Sequence, residues 1–546
     1  MRILLFSVVA VAAFLGLMAA VPLPADDTPP AGVTQTGEQE PTKPRVAITI
    51  SEETTRIVSP LRPDGYPDYI AALNEHYSRG VTPENNAAVL LRQAMGPGEI
   101  PEELRDRYFE LLGMAPLPEQ GDYFVPFYEY VADRDDLKRK RLAERQFDQA
   151  LEAPWSKEQY PVVADWLAAN EKPLGLIVEA TTRPRYYSPL VAEEDSLLVF
   201  VFSPAIFEVR SAGRALAARA MLCMHEGKTG EAWHDLLAYH RLARLTAQGP
   251  TLVDGLVGVA LEGHARRADA VMAHFGTLTA EQARACQADL CTLPEMTTLV
   301  DKIDMGERWM FLDTVSYTAR EGPHVLQELD GTGGSDKPTV RKTLLKWLTN
   351  MAVDWDVALR MGNSWYDRLV RGARAPVGRV RSEVLDEIEE EMRAMRAKVK
   401  DPESIAKDLL SGKSPRAVAS ERMGQAFLGL FLPGIRSVLD AEDRNATQAR
   451  LTELLFALAA YRADHGSYPA SLSDLGPTYI AEMPKDPFTD EDFRYERRGK
   501  GYLLYSIGPN GQDDDGRNRR FDNVPAKRQD DYEGDDIAIH MPPKKR

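Results

Sequence analysis

Apolar residues recur every three or four positions along most of the chain, the spacing of helices that bury one face. The clearest case runs from Arg214 to Leu245. Leu216, Ala220, Cys223 and Met224 form one stripe, Gly227-Lys228-Thr229-Gly230 interrupts it, and Ala232, Leu236, Tyr239, Leu242 and Ala243 form a second. A helical hairpin follows from that break. The same period predicts helices over Leu252–Phe275, Ala280–Leu293 and Thr339–Val370, with the Gly331–Pro338 loop before the last. Val380, Val384, Ile388, Met392, Met395 and Val399 make one further stripe, with the acids Glu383 to Glu391 turned to solvent. Upstream, Asp64-Gly65-Tyr66-Pro67 punctuates before a helix over Tyr69–Tyr77, and Thr82-Pro83 reads as the start of one reaching Met95. Val46–Ile50 is short and β-branched, a strand or an extended lead-in.

Two segments depart from this pattern. Ile3–Ala20 is an unbroken apolar run after Arg2, with the small residues Ala19 and Ala20 at its exit. Residues 1–21 therefore read as an export signal cleaved after Ala20, the alternative being an uncleaved membrane anchor. No cysteine follows, which excludes a lipoprotein. Residues 22–45 hold six prolines among polar residues and read as a solvated linker.

The rest divides into a helical body, 46–423, and a C-terminal unit, 424–546. The expected class is mainly α: a multi-helix body, with helical hairpins as its repeating idea, and a C-terminal α+β module. The Gly227…Ala232 spacing is similar to one unit of a tetratricopeptide repeat, but the period of about 34 residues does not recur.

Charge and composition narrow the function. Acids outnumber bases 83 to 66, a net charge of −17 with no basic domain, so nucleic acid is not an expected partner. Three cysteines, Cys223, Cys286 and Cys291, cannot build a disulfide framework; the last two read as core thiols. Ser404-Ile405-Ala406-Lys407 and Lys228-Thr229-Gly230 resemble catalytic motifs of penicillin-binding enzymes, but in reversed order. Glu231-Ala232-Trp233-His234 has a di-iron ligand spacing without the second pair that chemistry needs, since Glu321-Gly322-Pro323-His324 holds a helix breaker. Trp309, Phe311, Tyr317, Trp347, Trp355, Trp365 and Tyr366 read as core at helical spacing. No catalytic residue is assigned. A hydrolase with carboxylates hidden in the body is the alternative to a non-enzymatic binding or scaffolding role.

The most specific pattern lies at the end of the chain. A helix from Ile435 to Arg462, with Leu451, Leu454, Leu455, Leu458 and Tyr461 on its stripe, closes on Tyr461-Arg462-Ala463-Asp464-His465-Gly466-Ser467-Tyr468-Pro469. Pro484-Lys485-Asp486-Pro487 follows, then strands at Phe493–Glu496 and Gly501–Gly508 across a short turn, and an acidic stretch ending in Asp535-Asp536-Ile537. This ordered series resembles the periplasmic part of the major pseudopilin of type II secretion, the G protein. The resemblance implies a long helix on a small antiparallel sheet. It also implies a calcium ion between the strand end and the final Asp-Asp-Ile, where Asn510, Asp513, Asp515, Asp535 and Asp536 are the available oxygen donors. Two features depart from it. The N-terminus lacks the processed glycine-phenylalanine motif, and the apolar stretch before Pro433 is too short to span a bilayer. The acidic stretch is not an EF-hand, because Arg517 stands where a fifth-position oxygen belongs, and the basic insert 517–534 offers Arg517, Arg519, Arg520, Lys527 and Arg528 as counter-charges.

These readings converge on an exported periplasmic or envelope-associated protein, which touches the membrane only if its N-terminal segment is retained. Its expected partner is an envelope protein or peptide, with an accessory role in a secretion or pilus-like system as a further alternative.

Overall fold

The computed structural model describes residues 46–543, apart from 99, 133–136, 194, 202–205, 323–352, 400, 433 and 519–533. The expectations for the export segment, the proline-rich linker, the Gly331–Pro338 loop, Trp347 and most of the basic insert lie outside the described residues. The chain is mainly helical, with one three-stranded antiparallel sheet among the described residues. No described helix is long and apolar enough to cross a membrane.

Helices α1 (Tyr69–Tyr77), α2 (Ala87–Met95), α3 (Arg105–Leu112), α4 (Leu137–Ala150), α5 (Pro161–Ala169) and α6 (Glu171–Ala180) open the body. Val46–Ile50, expected as a strand or extended lead-in, bends at Ala47 and Ile48 and forms no strand. The cap of α2 is Asn86, whose side chain accepts from Ala88 N; Thr82 and Pro83 form the turn before it. The expected hairpin is present as α7 (Ile206–His225) and α8 (Thr229–Thr246), broken at Gly227 with φ 74°. Next, α9 (Leu252–Phe275) lies along both. Then come α10 (Ala280–Cys291) and α11 (Arg308–Glu321), the latter entered through a helical turn, Leu299–Lys302, and a π-helical turn, Ile303–Glu307. Thr251 with Asp254, and Thr279 with Gln282, close capping boxes at the starts of α9 and α10.

Helices α12 (Trp355–Ala373), α13 (Arg379–Val399) and α15 (Pro415–Phe431) pack with α11 into a second core, and α14 (Pro402–Leu410) lies against α13 and α15. Of the aromatic residues expected to be core, Phe311 and Tyr366 are buried here and Trp309, Trp355 and Trp365 pack against this core, whereas Tyr317 is half-buried outside it. The stripe on α13 buries Ile388, Met392 and Met395 but leaves Val380 exposed, at a helix start with nothing above it. Cys223 and Cys286 are buried, whereas Cys291 is exposed, because the two α10 thiols face different sides of the helix and only one side is covered.

The last helix, α16 (Ile435–His465), stops at Gly466 in the left-handed region, φ 74°. Strands β1 (Arg494–Arg498), β2 (Gly501–Ser506) and β3 (Ile537–Met541) form the sheet in the order β1-β2-β3, with Arg498 opposite Gly501 and Ser506 opposite Ile537. Leu451, Leu454, Leu455 and Leu458 of α16 are buried in one core with Tyr502 and Leu504 of β2. Each such side chain removed from water contributes about 1.5–3 kcal/mol.

Ala273, Ala280 and Ala283 of the body belong to that same core, and Phe456 reaches the first body core, its ring 5.5 Å from that of Trp233. Thus α16 has one face on the sheet and another on α9 and α10. The sequence boundary at 423/424 falls inside α15, whose Phe427 and Leu428 are buried in the second body core.

Candidate functional site

The acidic stretch after β2 is shaped first by glycine. Gly508 sits at φ 69°, and a Cβ there would stand 2.5 Å from Asp535 O and 2.8 Å from Asp535 Oδ1. Only a residue without a side chain lets the loop close against the strand that carries Asp535. Gly516, at φ 72°, similarly lies against Leu503 and gives its N–H to Asp536 Oδ2 at 2.7 Å.

The folded loop gathers Asp514, Asp535 and Asp536, whose carboxylate oxygens lie within 4.8 Å of one another. Of the five donors expected from sequence, Asp535 and Asp536 belong to this cluster, and Asp514 stands where Asp513 or Asp515 was expected. Asp513 instead accepts from Tyr505 Oη at 2.9 Å. Asp515 is exposed at φ 56°, 4.0 Å from the Arg517 guanidinium. Asn510 lies beside the cluster, its Nδ2 donating to Asp514 Oδ2 at 3.0 Å. One residue separates the expected set from the observed one: Tyr505 holds Asp513, and the turn at Asp515 and Gly516, both at positive φ, leaves Asp514 beside Asp535 and Asp536.

The charge here is incompletely matched. Asp536 is fully buried and accepts through Oδ2 from the amides of Gly516 and Asp514, but its Oδ1 has no partner among the described residues. Asp535 Oδ2 meets Arg444 of α16 at 3.0 Å, while its buried Oδ1 likewise has no partner among the described residues. Burial pushes the Asp536 carboxyl up to about 7, with Asp514 adding to the rise against the amide bonds that oppose it. Burial also raises Asp535, against the pull of Arg444. Orphaned oxygens on converging carboxylates are what a hard cation with six to eight oxygen ligands would satisfy. Asp514, Asp535 and Asp536 would supply three, and loop carbonyls and water the remainder.

A second cluster went unnoticed in the sequence. His240 of α8 is buried with Nδ1 3.0 Å from Glu262 Oε1 and Nε2 2.9 Å from Asp269 Oδ2, both carboxylates projecting from α9. Arg244 meets Glu262 Oε2 at 2.6 Å, and Arg266 meets Oε1 at 3.0 Å. Arg266 also donates to the backbone and side-chain oxygens of Asn445 on α16. Burial alone would lower the imidazole, yet Glu262 and Asp269 raise it to about 9. Burial would raise Glu262, yet His240, Arg266 and Arg244 hold it well below the usual carboxylate range. The legible signals were the i,i+4 spacing of Glu262 and Arg266 and the two-turn spacing of Glu262 and Asp269 on one helix face. Nothing in the sequence points His240 at them.

The motif-like fragments have structural roles. Ser404 Oγ accepts from Arg422, and Lys228 ends the break between α7 and α8. Glu231 and His234 are exposed, with no carboxylate cluster around them among the described residues. Glu321 ends α11, and His324 lies outside the described residues. No protein-family model, curated protein or solved structure matches the chain.

Proposed function

We propose that the chain is an exported, non-enzymatic protein of the cell envelope with a binding or scaffolding role, ending in a pseudopilin-like module whose acidic loop closes around calcium. The observation that carries this reading is Asp536: a carboxylate with no exposed surface, one oxygen without a partner among the described residues, and two further aspartates within reach. A three-stranded antiparallel sheet against a 31-residue helix supports the pseudopilin comparison. The apolar run Ile3–Ala20 supports export. The strongest buried carboxylates of the body, Glu262 and Asp269, are shut away from any substrate at 1% and 0% side-chain exposure, which supports a structural use over a hydrolytic one.

The test is thermal melting of the full chain in millimolar calcium, in magnesium and in chelator. Ligand that binds only the folded form raises the midpoint by mass action. Calcium is expected to raise it and magnesium to do so less, since magnesium demands a stricter octahedral cage. Identical midpoints in calcium and chelator would remove the metal from this reading.

A further inference from the structure

A cleft of about 860 Å³ opens in the body where α1, the Pro184–Tyr186 segment, the π-helical turn and α12 meet. That volume lies within the usual range for small-molecule sites. π-Helical turns concentrate at functional positions, because the extra residue redirects side chains out of the helical register. Here the turn Ile303–Glu307 places Asp304, Met305 and, one residue on, Arg308 along the cleft wall.

Most of the charge in the wall is used internally. Arg56 pairs with Asp367, Asp367 with Arg308 at 2.6 Å, Arg308 with Asp304 at 2.6 Å, Asp304 with Arg374 at 3.5 Å, and Arg374 with Asp301 at 3.3 Å. Three arginines and three aspartates thus alternate in one ladder with no net charge. Arg56 holds its place at φ 59°, a conformation that costs a non-glycine residue free energy and persists only where the surroundings fix it.

Two cations lining the cleft stand outside the ladder. Lys302 is 1% exposed, and its Nζ donates to the carbonyls of Gln248 and Gly249 beneath the Tyr77 ring, 5.0 Å from its centre. Asp254 and Asp301 act on its charge, but neither forms an ion pair with it. Arg185 is exposed and donates to the Arg79 carbonyl. No described carboxylate pairs with either one. In a chain of net charge −17 this wall therefore carries two excess positive charges, one rigid and one at the rim. Beside them lie the flat or apolar side chains of Tyr77, Trp309 and Met305.

We propose that this cleft binds a phosphate monoester carrying a flat apolar group, with the dianion between Arg185 and Lys302 and the apolar group against Tyr77 and Trp309. Two excess charges match a dianion, and an arginine fork reads phosphate oxygens in pairs. Aromatic walls supply the area and orientation that a bare ion cannot use. Burial pushes the Lys302 ammonium down to about 8, a cost that an adjacent anion offsets. The inference goes beyond the calcium reading and is independent of it.

Calorimetric titration of the full chain with phenyl phosphate, inorganic phosphate and benzoate, all in chelator, tests it. Phenyl phosphate is expected to bind saturably at one site and at least about tenfold tighter than the other two. Arg185→Gln, at an exposed position, should weaken it about tenfold without moving the melting midpoint. Trp309→Leu should weaken phenyl phosphate while leaving inorganic phosphate unchanged. Lys302→Met should abolish binding, and the Arg185 variant keeps the test decisive if that protein fails to fold. Absence of saturable binding at millimolar phenyl phosphate would overturn the proposal, as would equal affinity for benzoate or inorganic phosphate, or binding untouched by Arg185→Gln.

Discussion

Adjacent residues of α16 face two buried carboxylate clusters that the protein treats in opposite ways. Asn445 turns to the body, where Glu262 is surrounded by His240, Arg244 and Arg266. Arg444 turns to the sheet, where it alone among described cations forms an ion pair with the Asp514, Asp535 and Asp536 group. In the first cluster the fold brings cations from two helices onto one carboxylate, which stays ionised and links α8, α9 and α16. In the second the described residues bring one cation to three carboxylates, and the deepest of them, Asp536, is driven up to about 7. Burial has a similar desolvation cost in both places; the difference is whether the described part of the chain supplies the compensating charge. Where it does, the cluster is a bolt, and where it does not, the cluster suits a cation from outside.

The largest effect that would break this contrast is at Glu262. Glu262→Gln leaves His240, Arg244 and Arg266 facing one another without their shared carboxylate, and should cost about 3–5 kcal/mol in chemical denaturation. A loss below about 1 kcal/mol would mean that the cluster is not a bolt. At the loop, Asp536→Asn keeps a side-chain oxygen for the Gly516 amide but removes the buried charge. The variant should fold, and should lose the calcium-induced stabilisation, which for the unaltered chain is about 2.7 kcal/mol at a hundredfold excess over Kd. Parallel melts with and without calcium give the answer, and an undiminished calcium shift would displace the site from Asp536.

The pH dependence sharpens the comparison further. Because the folded value for His240, about 9, lies above the ordinary imidazole value of 6.5, its protonated ring contributes stability that is fully present below about pH 6.5. That contribution fades as pH rises through 9. Unfolding free energy should therefore decline by roughly 1–3 kcal/mol from pH 6 to 9 in chelator, and His240→Asn should flatten this part of the profile. A profile unchanged by the substitution would show that the ring is not held protonated. The smallest effect belongs to Asn445→Ala, which removes one of the two oxygens that Arg266 reaches on α16. It should cost about 1 kcal/mol, with calcium binding intact.

Much of the architecture was legible before any coordinates. The hairpin at Gly227, the helix over Tyr69–Tyr77, the long helix stopping at Gly466 and the short turn before Gly501 all follow from local causes: apolar period, glycine at positive φ, and capping side chains. Cys291 and Val380 were misplaced for the opposite reason. Their stripes were sound, but whether an apolar face is covered depends on a neighbour that period alone does not name.

The sequence by itself determined where the helices and strands form, because those choices rest on contacts within a few residues. That the aspartates of the last loop lie near one another was implied by the pseudopilin resemblance, and the structure brings them together through Gly508 and the pairing of β2 with β3. Only the tertiary structure decided which aspartates converge, since the turn at Asp515 and Gly516 and the Tyr505 hydroxyl on Asp513 leave Asp514 in the cluster. It alone set α16 against α9 and α10, placed His240 between Glu262 and Asp269, and joined Arg56, Asp304, Arg308 and Asp367 around one cleft. Apart from Asp304 and Arg308, those partners are tens to hundreds of residues apart, and charge compensation at such separations depends on how helices pack rather than on any pattern along the chain.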